Sequence, residues 1–205
     1  MPPVRIVPVI GLVGGIGSGK SQVAAMLAQA GCVVCDSDAL VRAEYTEPAV
    51  IQELVGWWGP RVLDATGGVD RGAVAEIVFA DPIARRKLEA FIHPRVERRR
   101  QVLFAAAPPG TPALVIDAPL LLEAGLGPGC TQVWFVDAPE AVRQARVQSS
   151  RGWNAQELAR REAAQWPLDR KRSAAHHVLC NDGDPASLRQ QVLRALGDLT
   201  QRPVS

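Results

Sequence analysis

The sequence predicts an α/β fold: a three-layer core in which a parallel sheet of about five strands is covered by helices on both faces. Three observations carry that prediction. Short apolar runs at residues 7–13, 32–35, 113–116, 132–136 and 178–180 read as buried strands. The stretches between them are patterned mostly as helices, and strands that alternate with helices pair in parallel. The first run also passes directly into a glycine-rich turn and a helix, as Val9-Ile10-Gly11-Leu12-Val13-Gly14-Gly15-Ile16-Gly17-Ser18-Gly19-Lys20-Ser21.

That turn is the first element with chemistry. Gly14, Gly19, Lys20 and Ser21 fill the pattern GxxxxGK[ST], the phosphate loop of nucleoside-triphosphate-binding (P-loop NTPase) folds. Successive N–H groups of such a turn surround phosphate oxygens, and its glycines permit the dihedrals and the close approach. Gly15, Ile16, Gly17, Ser18, Gly19, Lys20, Ser21 and Gln22 are therefore the candidate triphosphate-binding residues. Lys20 supplies a point charge for the β- and γ-phosphates, and Ser21 a hydroxyl for Mg²⁺. Residues 19–30 read as the following helix, with Val23, Met26, Leu27 and Ala30 on one face. A dinucleotide-binding loop fits poorly, because Lys20 stands where its third glycine belongs.

The second strand, Cys32-Val33-Val34-Cys35, runs into Asp36-Ser37-Asp38. A redox CxxC opens a helix, whereas this one lies in a strand, so Cys32 and Cys35 read as buried, reduced thiols. The C-terminal ends of parallel strands line the ligand crevice. One strand away from the phosphate loop, Asp36 and Asp38 are placed for general-base work or Mg²⁺ binding, with Asp36 or Ser37 capping a helix from about Ala39. Residues 39–106 are too long and too helical for a simple crossover and read as a helical substrate-binding insertion. Within it, Asp70 and Asp81 are N-caps, Pro82 and Pro94 lie near first turns, and Trp57 and Trp58 serve as packing. Arg95, Arg98, Arg99 and Arg100 form a solvated face or a cationic one.

The third strand ends in Asp117, which either holds Mg²⁺ through water or closes a local turn. The role of the following Pro119-Leu120-Leu121-Leu122-Glu123 does not follow from spacing. Residues 139–173 are arginine-rich and read as a helical pair forming a lid. Of Arg143, Arg146, Arg151, Arg160 and Arg161, the second and third flank the helix end before Gly152 and are the better candidates for stabilising transferring phosphate. His176 and His177 point opposite ways on an extended segment and share no metal. Residues 185–199 read as a terminal helix capped by Asp184.

Composition excludes other classes. The chain has 205 residues, 47% hydrophobic and 21% charged, with net charge +2, too small an excess for sequence-independent nucleic-acid binding. No apolar run approaches the roughly 18 residues of a membrane span. Met1-Pro2-Pro3-Val4-Arg5 lacks the features of a signal peptide, so the expected setting is cytoplasmic. Oligomeric state is not encoded in any motif; a monomer or small homo-oligomer is expected.

Taken together, these segments resemble the dephospho-coenzyme A kinases over essentially the whole chain. The resemblance rests on the phosphate loop, on Val33-Val34-Cys35-Asp36-Ser37-Asp38, and on Gly68-Val69-Asp70-Arg71 before a helix ending in Val78-Phe79. It continues through residues 88–94 with His93-Pro94, through Asp117-Ala118-Pro119-Leu120-Leu121-Leu122-Glu123, through Arg146, Arg151, Arg161 and Gln165, and through Val178-Leu179-Cys180-Asn181. It implies a single P-loop kinase domain with core segments at about 4–38, 107–138 and 174–205, which phosphorylates the ribose 3′-hydroxyl of dephospho-coenzyme A with ATP and Mg²⁺. By resemblance Asp38 is the catalytic acid, Lys20 binds the transferring phosphate, and Arg146 and Arg151 clamp phosphates. Arg71, His93, Pro119, Leu120, Leu121 and Glu123 then belong to the acceptor side, and Asn181 lies near the ATP base. The chain departs from the family pattern at Gln22, at Leu122, at Ala175-His176-His177 and in the four residues between Arg146 and Arg151. An adenylate- or shikimate-type kinase would share the loop and lid but leave the segments around Arg71, His93 and Pro119 unexplained. A guanine-nucleotide switch would carry NKxD, and Asn181-Asp182-Gly183-Asp184 has no lysine there.

Overall fold

The computed structural model describes residues 7–201. Residues 1–6, which include the segment read above for a leader, and residues 202–205 of the last core segment lie outside the described residues. The chain forms two compact units, one comprising the chain up to Asp36 and from Ala107 onward, the other Ser37–Ala106.

In the first unit, β1 (Val9–Gly14), β2 (Val33–Asp36), β3 (Leu114–Asp117), β4 (Gln132–Asp137) and β5 (His177–Cys180) form one sheet in the order β2-β3-β1-β4-β5. All four pairings are parallel, so every strand needs a crossover. Those crossovers supply helix α1 (Lys20–Gln29), helix α6 (Glu140–Arg151), helix α7 (Ala155–Glu162) and helix α8 (Leu168–Ser173), and α9 (Pro185–Gln201) follows β5. The sheet is buried by α1 and α9. Ile10, Leu12, Val23, Leu27, Val115, Trp134, Leu188 and Val192 form one continuous core. The central strands β1, β3 and β4 are therefore buried along most of their length without alternation, whereas the edge strands β2 and β5 are partly exposed.

The strand order corrects one expectation. Asp36-Ser37-Asp38 is not one strand from the phosphate loop, because β3 lies between β1 and β2, with Leu12 opposite Asp117 and Asp117 opposite Asp36. The crossover through α1 skips a position that the later strand fills; adjacency in sequence does not give adjacency in a sheet. The lid expectation is also corrected: residues 139–173 form three helices, not a pair. Gly152, at φ 68°, ends α6, the Asn154 side chain accepts from Glu157 N–H to start α7, and Pro167 precedes α8.

The second unit is helical. It comprises α2 (Ser37–Glu44), α3 (Pro48–Trp58), α4 (Arg71–Ala80) and α5 (Pro82–Ala105). Asp70 caps α4 by accepting from the N–H groups of Gly72 and Ala73, and Asp81 caps α5 through Ile83 N–H. Pro94 is not in a first turn; it sits inside the 24-residue α5. A proline there leaves the Ala90 carbonyl without its helical donor, at a cost of about 3 kcal/mol. The helix continues because Leu88, Ile92 and Val96, on both sides of the proline, pack into the core formed with Val50, Leu54, Val62 and Val74. Trp57 packs edge-on against Trp58 and Phe91 at 5.4 and 5.3 Å, as the packing role required. Helix α2 begins at Ser37, two residues earlier than expected, and the Ser37 hydroxyl is buried without a hydrogen-bond partner, so it is no cap.

Candidate active site

The turn between β1 and α1 is the candidate anion site. Gly17 and Gly19 adopt φ 77° and 93°, left-handed values that L side chains avoid. A Cβ on Gly17 would also stand 2.8 Å from the Arg143 carbonyl oxygen, and one on Gly19 would overlap Asn181 Nδ2. Gly19 precedes α1 with no side-chain cap, and the positive end of a helix dipole favours an anion at such a turn. Lys20 Nζ lies across the turn, donating to the carbonyls of Gly14 and Gly15 at 3.0 and 3.1 Å. Ser21 is exposed in the first helical turn. The Ser18 hydroxyl is buried and unpartnered.

One side of the turn is braced by Asn181, just past β5, and by Arg146 of α6. Asn181 is buried; its Nδ2 donates to Ser18 O at 2.8 Å and to Gln22 Oε1 at 3.3 Å. Arg146 completes the bracket, with Nη2 on Asn181 Oδ1 at 3.0 Å and Nη1 near the carbonyls of Gly17 and Ser18 at 3.4 and 3.3 Å. Gln22, a departure from the family pattern, thus holds the asparagine. Arg151 is not brought to the turn: it lies over the Trp153 ring at 4.8 Å, which Arg161 also covers at 4.1 Å. Arg160 and Arg161 both bond Glu157, which holds that carboxyl down to about 2. Arg143 is buried, bonds Glu162, and packs against Gly15.

Beside β1, the acid Asp117 ends β3, and the segment following it is clamped. Glu123 Oε1 accepts from Trp166 N–H at 2.8 Å and pairs with Lys171 Nζ at 2.9 Å. Burial pushes the Glu123 carboxyl up, but the Lys171 ammonium and the Trp166 N–H outweigh it and hold it below the usual glutamate range. Lys171 also donates to Gln165 Oε1 at 2.9 Å and lies 3.4 Å from the Pro119 carbonyl. Leu121 is buried and Leu120 exposed. The roles of Lys171 and Glu162 escape a reading of the sequence. Lys171 sits in Asp169-Arg170-Lys171-Arg172, which reads as a solvated run, and Glu162 follows two arginines on an exposed helix.

The remaining candidates belong to the helical unit. Asp38 is exposed in the first turn of α2, directly beyond the C-terminal end of β2. Arg71 opens α4 and is exposed; its charge acts on Tyr45, whose phenol burial pushes up. His93 is exposed on α5. Arg95 and Arg99 are not a free cationic face, because both bond the buried Glu44, and Arg99 also bonds Glu47. Burial alone would raise the Glu44 carboxyl; the two guanidinium groups overcome this and lower it.

Residues 8–187 match the family described as Dephospho-CoA kinase. The chain belongs to the dephospho-CoA kinase family. A protein named "Dephospho-CoA kinase" from Gloeobacter violaceus is 44% identical over 190 residues, 92% of this chain and 91% of that protein. One of the same name from Thermobifida fusca is 39% identical, covering 94% of this chain and 96% of its own length. Among solved structures, a Thermus thermophilus protein superposes with a TM-score of 0.82 at 36% identity, over 95% of this chain and 98% of that one. A shikimate kinase from Acinetobacter baumannii, at TM-score 0.51 and 19% identity over 96% of each chain, shares the fold. The dephospho-CoA kinase family is ATP-using, and among the described residues no helix is long and apolar enough to cross a membrane.

Proposed function

We propose that the protein transfers the γ-phosphoryl group of ATP to the ribose 3′-hydroxyl of dephospho-coenzyme A, giving coenzyme A and ADP in the cytoplasm. The observation that carries this reading is the family match across residues 8–187, which spans an intact glycine-lysine-serine turn. In the reaction the acceptor oxygen forms a bond to the γ-phosphorus, the bond to the β,γ-bridging oxygen breaks, and the hydroxyl proton leaves to a base. Asp38 is that base and orients the hydroxyl; the support is its place past the end of β2 and its match to the family's acid. The turn's N–H groups and Lys20 hold the phosphates, and the charge they supply grows in value as negative charge spreads over the γ-oxygens. Arg146, already against the turn, is better placed than Arg151 to add a guanidinium.

Mg²⁺ fits the oxygen-only donor chemistry of the Ser21 hydroxyl and, through water, Asp117. When bound, it neutralises charge on the β- and γ-oxygens. Arg71, His93 and the turn containing Pro119, Leu120 and Leu121 serve the acceptor within residues 39–106 and beyond β3, and residues 139–173 act as the lid. Glu123, engaged by Lys171 and Trp166, serves this side by holding the turn.

The test is acceptor preference. Purified protein with ATP and Mg²⁺ phosphorylates dephospho-coenzyme A in preference to shikimate or AMP, and Asp38→Asn lowers kcat by about 10²- to 10⁴-fold while ATP binding persists. Preference for another acceptor, or full activity in Asp38→Asn, overturns the reading.

A further inference from the structure

A loop built to hold an anion is already in contact with one from its own chain. Ile16 N–H, in the phosphate loop, donates to Glu162 Oε1 at 3.3 Å. The same oxygen accepts from Arg143 Nη1. The pair lies directly on the turn: a Cβ on Gly15 would stand 3.1 Å from Arg143 Nη1 and 3.2 Å from Glu162 Oε1. Glycine at that position is what allows the contact.

A second observation points the same way. Arg143 is only 5% exposed, yet its Nε is buried with no hydrogen-bond partner. A guanidinium is a fork that two anionic oxygens can fill, and one prong here is left over. Leaving a charged donor unsatisfied is costly, so this arrangement is not the best the side chain can make. Glu162 is the last residue of α7, a helix of eight residues, and its side chain is 25% exposed, so water is within reach of the carboxylate if it leaves the loop.

We propose that Glu162 is a displaceable positioning residue whose carboxylate holds the Ile16 amide and the Arg143 guanidinium until the phosphates of the donor nucleotide take them over. Like charges cannot share this concavity cheaply, so the entering triphosphate displaces Glu162, or binds against its repulsion. Displacement loosens α7 from the loop and turns Arg143, satisfied on both prongs, toward phosphate oxygens. The proposal rests on the reading of this loop as a triphosphate site. A plain structural brace would use the same contacts with the opposite consequence: removing the charge would loosen the loop and weaken binding.

The test measures affinity for ATP and for inorganic tripolyphosphate by calorimetry on the full chain, for the wild type, Lys20→Ala and Glu162→Gln. Glutamine keeps the length and a hydrogen-bonding oxygen and removes only the charge. The expected result is about tenfold tighter binding of both probes by Glu162→Gln, the worth of one charge-assisted hydrogen bond no longer in competition. Equal or weaker binding overturns the proposal while leaving the triphosphate site standing. Failure of the wild type to bind either probe, or binding indifferent to Lys20→Ala, overturns the site itself and the proposal with it. Hydrogen exchange on the wild type gives a reading independent of any variant's folding. Tripolyphosphate should protect the loop amides and speed exchange in α7; slower or unchanged exchange in α7 overturns the displacement.

Discussion

Replacing Lys171 by methionine tests the clamp behind the turn that follows β3. Lys171 is completely buried, and its ammonium faces Glu123 Oε1 and Gln165 Oε1, each at 2.9 Å, and the Pro119 carbonyl at 3.4 Å. Methionine keeps most of the volume and removes the charge. Glu123 then keeps only backbone N–H donors, those of Trp166 and of its own residue, and no counter-charge. Stripping one member of a buried ion pair costs about 3–5 kcal/mol, because the remaining charge stays desolvated. The Glu123 side chain is 16% exposed and reaches some water, which puts the expected cost near the lower end, about 3 kcal/mol. For a chain of this length that lowers Tm by about 6–12 °C. Acid supplies the control. The folded Glu123 carboxyl is held below its unfolded value, so its contribution is present above the unfolded pKa, about 4.3, and is lost as pH falls through the folded pKa. Thermal unfolding of wild type and Lys171→Met at pH 7 and in steps toward pH 3 should show the gap narrowing as Glu123 protonates, and Glu123→Gln/Lys171→Met should recover part of the loss. A cost below about 1 kcal/mol at pH 7, the value of an exposed pair, or a gap that does not narrow with acid, refutes the argument.

Three further outcomes are expected. Gly19→Ala should abolish ATP binding in calorimetry, because its Cβ displaces Asn181 Nδ2, and the left-handed backbone alone should cost about 1–2 kcal/mol of stability. Asp70→Ala should cost about 1 kcal/mol in urea unfolding, leaving the Gly72 and Ala73 N–H groups uncapped, with ATP affinity unchanged. Wild-type stability should fall as pH is lowered below about 4.3, since Glu44 joins Glu123 in having its carboxyl held down; Glu44→Gln should be less stable at pH 7 and show a shallower acid limb.

What could be read along the chain was whatever local rules govern. The glycine turn and its helix, the caps at Asp70, Asp81 and Asp184, and the apolar strands all announce themselves within a few residues, because dihedral freedom, orphan N–H groups and burial on both faces act at that range. Pro94 marks the limit of such rules: proline argues for a helix start, and only the packing of Leu88, Ile92 and Val96 carries α5 through it. The geometry of the turn was likewise legible, since the glycines of GxxxxGK[ST] supply the left-handed dihedrals found at Gly17 and Gly19.

Other features depended on where distant segments meet. Insertion of β3 between β1 and β2 made Asp117, rather than Asp36, the acid opposite β1. The sequence by itself determined the α/β alternation, the phosphate loop and the helix caps. Tertiary structure alone decided that Asn181 and Arg146 brace that loop, that Arg151 stacks on Trp153, and that Lys171 and Glu162 become partners of Glu123 and of the Ile16 amide. The physical reason is range: a lysine or glutamate on a helix looks the same in sequence whether it meets water or a buried counter-charge, and only the folded contacts separate the two.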